Sequence, residues 1–142
     1  MDDLKGKTAI VTGASRGIGA ATARELAGLG VNVVLVARSE GEIAGIADEI
    51  NKAGGKAAAV ASDVARYEDV QTAVDTAVER FGGLDILVNN AGLIEPIAHL
   101  VESDPAAWDL VVDVNLKGVY HGLRAALPVM VGQGAGVVVN IS

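Results

Sequence analysis

Three glycines, Gly13, Gly17 and Gly19, punctuate the run Thr12-Gly13-Ala14-Ser15-Arg16-Gly17-Ile18-Gly19, and their spacing has a plain chemical use. Before the run stands a short β-branched stretch, Thr8-Ala9-Ile10-Val11; after it, Ile18, Ala21, Thr22, Leu26 and Leu29 recur at helical spacing. The first stretch suits a buried parallel strand and the second an amphipathic helix, with Gly30 at an αL stop. A strand, a glycine turn and a helix N-terminus in that order aim backbone N–H groups and the positive end of a helix dipole at one point. A phosphate suits that point. Glycine permits the turn, lets backbone approach a pyrophosphate and lets the helix pack close to the strand. A glycine-rich βα turn with no ligand carries the same local signature, so the surrounding elements must decide.

Those elements alternate along the whole chain. Residues 32–37 read as a second strand, and residues 40–53 as a helix in which Ile43, Ile46, Ala47 and Ile50 share a face, stopped by Gly54-Gly55. Residues 56–61 read as a third strand; their alanines suit a helix as well, and the preceding turn decides. Val70, Ala73, Val74, Ala77, Val78 and Phe81 mark a further helix ended by Gly82-Gly83, and residues 84–89 a fourth strand. Asp104 and Pro105 form an N-cap and N1 pair that opens a long helix with an apolar stripe of Trp108, Val111, Val112, Val119 and Leu123. Pro128 is expected to kink or end it, and glycines at 132, 134 and 136 lead into a fifth strand at 137–141. Strands alternating with helices of this length mean βαβ units, a parallel sheet and right-handed crossovers, hence a doubly wound α/β fold.

Composition narrows the partners. The chain has 142 residues, 51% of them hydrophobic, with a net charge of -7. It has room for one domain, is too apolar to be disordered, and lacks the basic face that nucleic acid or an anionic membrane requires. With no cysteine it has no disulfide framework and no thiolate metal site. Met1-Asp2-Asp3-Leu4-Lys5 is unlike a secretory signal, and no apolar run approaches the roughly 20 residues of a membrane span, so the cytoplasm is the expected location.

Several separated stretches resemble the short-chain dehydrogenases/reductases. Thr12 to Gly19 is similar to that family's TGxxxGxG cofactor motif, Asp63-Val64 resembles its adenine-contacting pair, and Asn89-Asn90-Ala91-Gly92 matches its NNAG motif. Val114-Asn115-Leu116-Lys117-Gly118 resembles the segment that carries its catalytic asparagine. The resemblance implies a Rossmann-type parallel sheet of five strands in the order 3-2-1-4-5 with flanking helices. It also implies a nicotinamide cofactor and hydride transfer to or from a small carbonyl or alcohol. Residues 1–142 then form a single dinucleotide-binding domain, an incomplete Rossmann fold. Gly13, Ser15, Arg16, Gly17, Ile18, Gly19, Arg38, Asp63, Val64, Asn90, Ala91 and Gly92 are the implied cofactor residues, and Asn115 and Ser142 the implied catalytic ones.

The cofactor's 2′ position can be read from charge. NAD sites place an acid at the end of the second strand to accept from the ribose 2′-OH, whereas a 2′-phosphate needs cations. Here the strand ends in Ala37-Arg38, and Arg16 stands in the glycine turn. Two guanidinium groups suit a phosphate dianion, so NADP(H) is expected; the alternative is that both arginines are merely solvated. Asn115 falls seven residues after Trp108 and four before Val119, on the apolar stripe. A buried amide there needs partners. It either ties the helix to neighbouring backbone or, as the resemblance implies, also holds a proton-relay water. Asn90 is expected to bond backbone across the sheet.

The chain departs from the family in one respect. The Tyr-x-x-x-Lys pair that moves the proton cannot be placed, and the family's catalytic serine falls at or just after the final Asn140-Ile141-Ser142. The expectation is therefore a fragment of a longer dehydrogenase. Tyr120 and Arg124 have the spacing of the pair, but they share a helix with Asn115, and arginine cannot relay a proton. His99 and His121 lack partners at ligand spacing, so no metal is expected. An apolar fifth strand at a sheet edge predicts self-association, and the resemblance implies a homo-oligomer, a dimer or tetramer. Two rival readings remain. One is a non-catalytic dinucleotide-binding module; the other, a nucleotide-sugar epimerase, fits less well because GxxGxxG spacing would put glycine where Arg16 stands.

Overall fold

A computed structural model describes residues 2–142. Five strands, β1 (Thr8–Thr12), β2 (Asn32–Ala37), β3 (Lys56–Ala61), β4 (Ile86–Asn89) and β5 (Val137–Asn140), form one sheet in the order β3-β2-β1-β4-β5. Every pairing is parallel. Helices cover both faces, which is why β1 is buried at all five positions and reads as a continuous apolar run. Ala9, Val11, Val33 and Leu35 face α1 (Gly17–Gly28) and α2 (Glu40–Lys52), within a core completed by Ala23, Ile43 and Ile50. Ile10, Val34, Val36 and Leu87 face the opposite core, which contains Val70, Val74 and Ala77 of α3 (Tyr67–Phe81) and Ala125, Ala126 and Met130 of α5 (Gly118–Gln133). The architecture is the Rossmann-type doubly wound α/β fold, with the expected strand order.

The alanine-rich β3 is a strand, paired with β2 at six positions. β4 begins at Ile86, two residues later than the pattern predicts, although Leu84 is fully buried. The Gln133 side chain explains the late start: it accepts from Leu84 N at 3.0 Å and donates to Leu84 O at 2.9 Å, so an amide replaces a neighbouring strand there. Gly30 ends α1 as expected. Its φ is 85°, its N–H donates to Ala27 O, and Val31 N donates to Leu26 O, the two bonds of a Schellman stop.

Two helices bury different faces from those the sequence suggests. In α1 the buried residues are Gly19, Ala20, Ala23 and Ala27, while Ile18 is 62% exposed and Ala21 is exposed too. Small residues let the axis lie close to the sheet, and the larger aliphatic side chains are displaced to the flanks. The long helix opens at α4 (Pro105–Val112), passes through a π-helical segment at Asp113–Lys117 and continues as α5. A π turn accommodates one extra residue, which shifts every later side chain by about 100°. The expected stripe does not run through it: Trp108 is exposed and Val111 and Val112 are half-buried before the π segment, Val119 and Leu123 are half-buried after it, and Val114, Gly118, Gly122 and Ala125 are buried instead. Pro128 does not end the helix, which runs to Gln133 and stops at Gly134 with φ 77°. Pro128 and Arg124 are both exposed, so water can replace the hydrogen bond the proline removes. Among the described residues no helix is long and apolar enough to cross a membrane.

Candidate functional site

The C-terminal ends of the inner strands open onto a cleft of about 310 Å³. One wall is the glycine turn, with Gly13, Ser15 and Arg16. Its shape is set by the segment just after β4: Thr12 Oγ1 accepts from Asn90 N at 2.9 Å and Ala91 N at 3.0 Å, and Asn90 Nδ2 donates to Thr12 O at 3.1 Å and Gly13 O at 3.2 Å. Asn90 thus bonds backbone across the sheet, as expected. A Cβ on Gly13, whose φ is 61°, would come within 2.9 Å of Ala91 Cα, and one on Gly19 would run into Gly13 O. Gly17 is different. Its φ of 57° calls for glycine, but nothing lies within 4 Å of where its Cβ would be, so the backbone there is open to an approaching ligand.

The N-terminus of α1 carries no cap of its own. Its N-cap residue is Arg16, extended at φ -164° and ψ 175°, with no capping side-chain bond and no acid in the first turn. An arginine offers no acceptor, so the leading N–H groups keep their capacity for an anion. α4 shows the contrast: Asp104 accepts from Ala106 N at 3.2 Å and Pro105 occupies the first turn, as the sequence predicts. α2 also begins at the cleft without a side-chain cap from Ser39, but Glu40 and Glu42 in its first turn already answer its dipole.

Arg16 and Arg38 both line the cleft. Of the six arginines in the sequence, Arg24 pairs with Glu49, Arg66 with Asp69, Arg80 lies over Phe81 and Arg124 over Tyr67. Among the described residues Arg16 and Arg38 have no such partner. The floor is the Ser62-Asp63-Val64 segment, tied down by Ser62 N to Ala37 O, Asp63 N to Asp69 Oδ2 at 3.0 Å and Ala65 N to Asp63 Oδ1 at 2.9 Å. Ala91, Gly92 and Leu93 close the far side, with Val114 behind them.

Asn115 does not line the cleft and is exposed, contrary to its expected burial. It still has both amide partners: Leu93 N donates to Oδ1 at 2.7 Å, and Nδ2 donates to Leu93 O at 2.8 Å. The π segment brings the amide to the loop after β4 and not into the core. Gly19 packs behind the glycine turn, Gly17 and Ile18 stand outside the cleft lining, and Ser142 is exposed beyond β5. The sequence reading missed Thr12, Ser39, Glu42, Ser62, Leu93 and Val114. Thr12 and Val114 lay inside quoted motifs, whereas Glu42 reaches the cleft only because α2 starts there. His121, unpromising as a metal ligand, sits 2.7 Å from Val64 O.

A parallel α/β sheet in the order β3-β2-β1-β4-β5, with a glycine turn and a cleft at the C-terminal ends of its strands, defines a Rossmann-type protein. The short chain dehydrogenase family model matches residues 7–142, and the chain belongs to that family. It is 43% identical to an uncharacterized oxidoreductase of Staphylococcus saprophyticus, over 100% of this chain and 61% of that protein. It is 46% identical to 3beta-hydroxysteroid dehydrogenase 1 of Eggerthella lenta, over 99% of this chain and 54% of that one. The crystal structure of a metagenomic short-chain oxidoreductase in complex with NADP superposes with a TM-score of 0.92 at 42% identity, covering 98% of this chain and 63% of that chain. The chain thus spans between half and two thirds of the length of these relatives.

Proposed function

We propose that the chain provides the cofactor half of an NADP(H)-dependent oxidoreductase that moves a hydride between the nicotinamide and a carbonyl or alcohol. The observation that carries this reading is the pair Arg16 and Arg38, which line one cleft and have no internal partner among the described residues, with Arg16 at the uncapped N-terminus of α1. When bound, NADP(H) supplies the hydride. The α1 N–H groups and the Gly17 backbone would hold the pyrophosphate, and Ser15 would stand beside it. Arg16 and Arg38 would hold the 2′-phosphate through charge-assisted bonds. Val64 N–H has no partner among the described residues, and Asp63 uses only Oδ1 internally. Together they offer a donor and an acceptor side by side, matching the N1 acceptor and N6 donor of adenine. Asn90, Ala91 and Gly92 would form the wall along the cofactor's middle, and Asn115, fixed to Leu93, would hold the loop next to the reacting end.

The test is binding. Titrated by fluorescence, NADPH is expected to bind at least about tenfold more tightly than NADH, because two cations face the added phosphate. Equal dissociation constants would overturn the preference. A second reading is a dinucleotide-binding module without turnover; Asn115, the implied catalytic residue, stands outside the cleft lining. NADPH oxidation with a panel of carbonyl compounds separates the two, provided the same protein binds the cofactor. A location in the cytoplasm and assembly as a homo-oligomer complete the proposal.

A further inference from the structure

We propose that His121 is a positioning residue for the adenine end of the cofactor, acting through the backbone of Val64; the inference rests on the cofactor reading above. In the segment from Ser62 to Arg66, four N–H groups have internal acceptors: Ser62 donates to Ala37 O, Asp63 to Asp69 Oδ2, Ala65 to Asp63 Oδ1 and Arg66 to Asp63 O. The Val64 N–H has none among the described residues, and Val64 lines the cleft. Its own peptide is held at Asp63 O by Arg66 N–H, and its direction depends further on the peptides on either side. The Asp63 N–H fixes the preceding one. The following one is fixed at its carbonyl, because His121 Nδ1 lies 2.7 Å from Val64 O.

A carbonyl can only accept, so Nδ1 carries the proton, as it does in one neutral tautomer and in the imidazolium. The ring has little freedom to turn. Tyr67 meets it edge-on with centroids 5.9 Å apart and Tyr120 at a tilt with centroids 5.8 Å apart, while Arg124 lies 5.9 Å from the centre of the Tyr67 ring. Gly118, one turn earlier on α5, permits the approach: a Cβ there would fall 2.8 Å from Val64 Cγ2. The helix that fixes Leu93 through Asn115 therefore also holds the adenine floor through His121. It grips the cleft at two places one to two turns apart.

The test compares three proteins with two ligands. H121F keeps the aromatic packing and loses the donor, whereas H121N keeps a donor close to the Nδ1 position. The ligands are NADPH and its hypoxanthine analogue, whose N1 carries a proton and so cannot accept from Val64 N–H. H121F is expected to weaken NADPH about fivefold, the worth of one neutral hydrogen bond, and to leave the analogue unchanged. H121N is expected to bind NADPH within about twofold of the parent. Equal losses for both ligands, an unchanged NADPH affinity in H121F, or a full loss in H121N would each overturn the proposal. If H121F does not fold, H121L, with the same missing donor on a smaller side chain, takes its place. A parent protein that binds neither ligand would overturn the cofactor reading itself, a result distinct from any of these.

Discussion

Arg16 and Arg38 stand apart from the other arginines because nothing among the described residues answers their charge. At this scale the cofactor reading makes a sharp prediction: Arg38→Ala should weaken NADPH about tenfold and leave NADH within about twofold, since only the 2′-phosphate is deprived of a charged donor. Measured dissociation constants for both cofactors check it, and an equal loss for both would point to folding instead. The glycines make a different prediction. Gly19 is fixed by packing, so Gly19→Ala should cost about 2 kcal/mol or more in urea denaturation as its Cβ meets Gly13 O. The sequence made these residues legible as types and spacings. It could not tell that Gly19 is needed for space and Gly17 for conformation, because that difference lies in how the turn brings back the Gly13 carbonyl and in Asn90 arriving from another segment.

The elements follow from local signals where those are strong and fail where a distant contact intervenes. Asp104 and Pro105 start α4 as their chemistry dictates, and Asp104→Ala should destabilise the protein by about 1 kcal/mol in the same denaturation assay. The π segment had no sequence signature. It lies where the helix meets Leu93 through Asn115 and Val64 through Gly118 and His121. Asn115→Ala should therefore loosen the loop after β4: the Leu93 amide is expected to exchange with deuterium at least about tenfold faster, while amides of β1 keep their protection. Protection at Leu93 equal to the parent's would show that the amide pair does not hold the loop. The all-small face of α1 was hidden for a related reason, because apolar periodicity identifies large side chains and not how close a helix can come to its sheet.

Across the whole molecule, apolar surface is unevenly placed. β5 is an edge strand with Val137 and Val139 exposed, and Trp108, Leu116, Tyr120 and Val131 lie exposed on the long helix. Unpaired strand groups beside aliphatic and aromatic side chains favour association, so the 142-residue chain should sediment as dimers or larger species at micromolar concentration. A single monomeric species in analytical ultracentrifugation would contradict this. The net charge of -7 opposes aggregation without covering that surface.

Period and punctuation in the sequence determined the alternation of strands and helices, the parallel sheet, the glycine turn between β1 and α1, and the presence of Arg16 within it and Arg38 after β2. Each depends on neighbours within about a turn or on residue type alone. Tertiary structure decided the rest: which arginines remain without partners, which helix N-terminus is left uncapped, that Asn115 grips a loop from an exposed position, and that His121 reaches the floor of the cleft. Those features depend on backbone groups brought together from segments 22 to 79 residues apart, and no local pattern encodes such meetings.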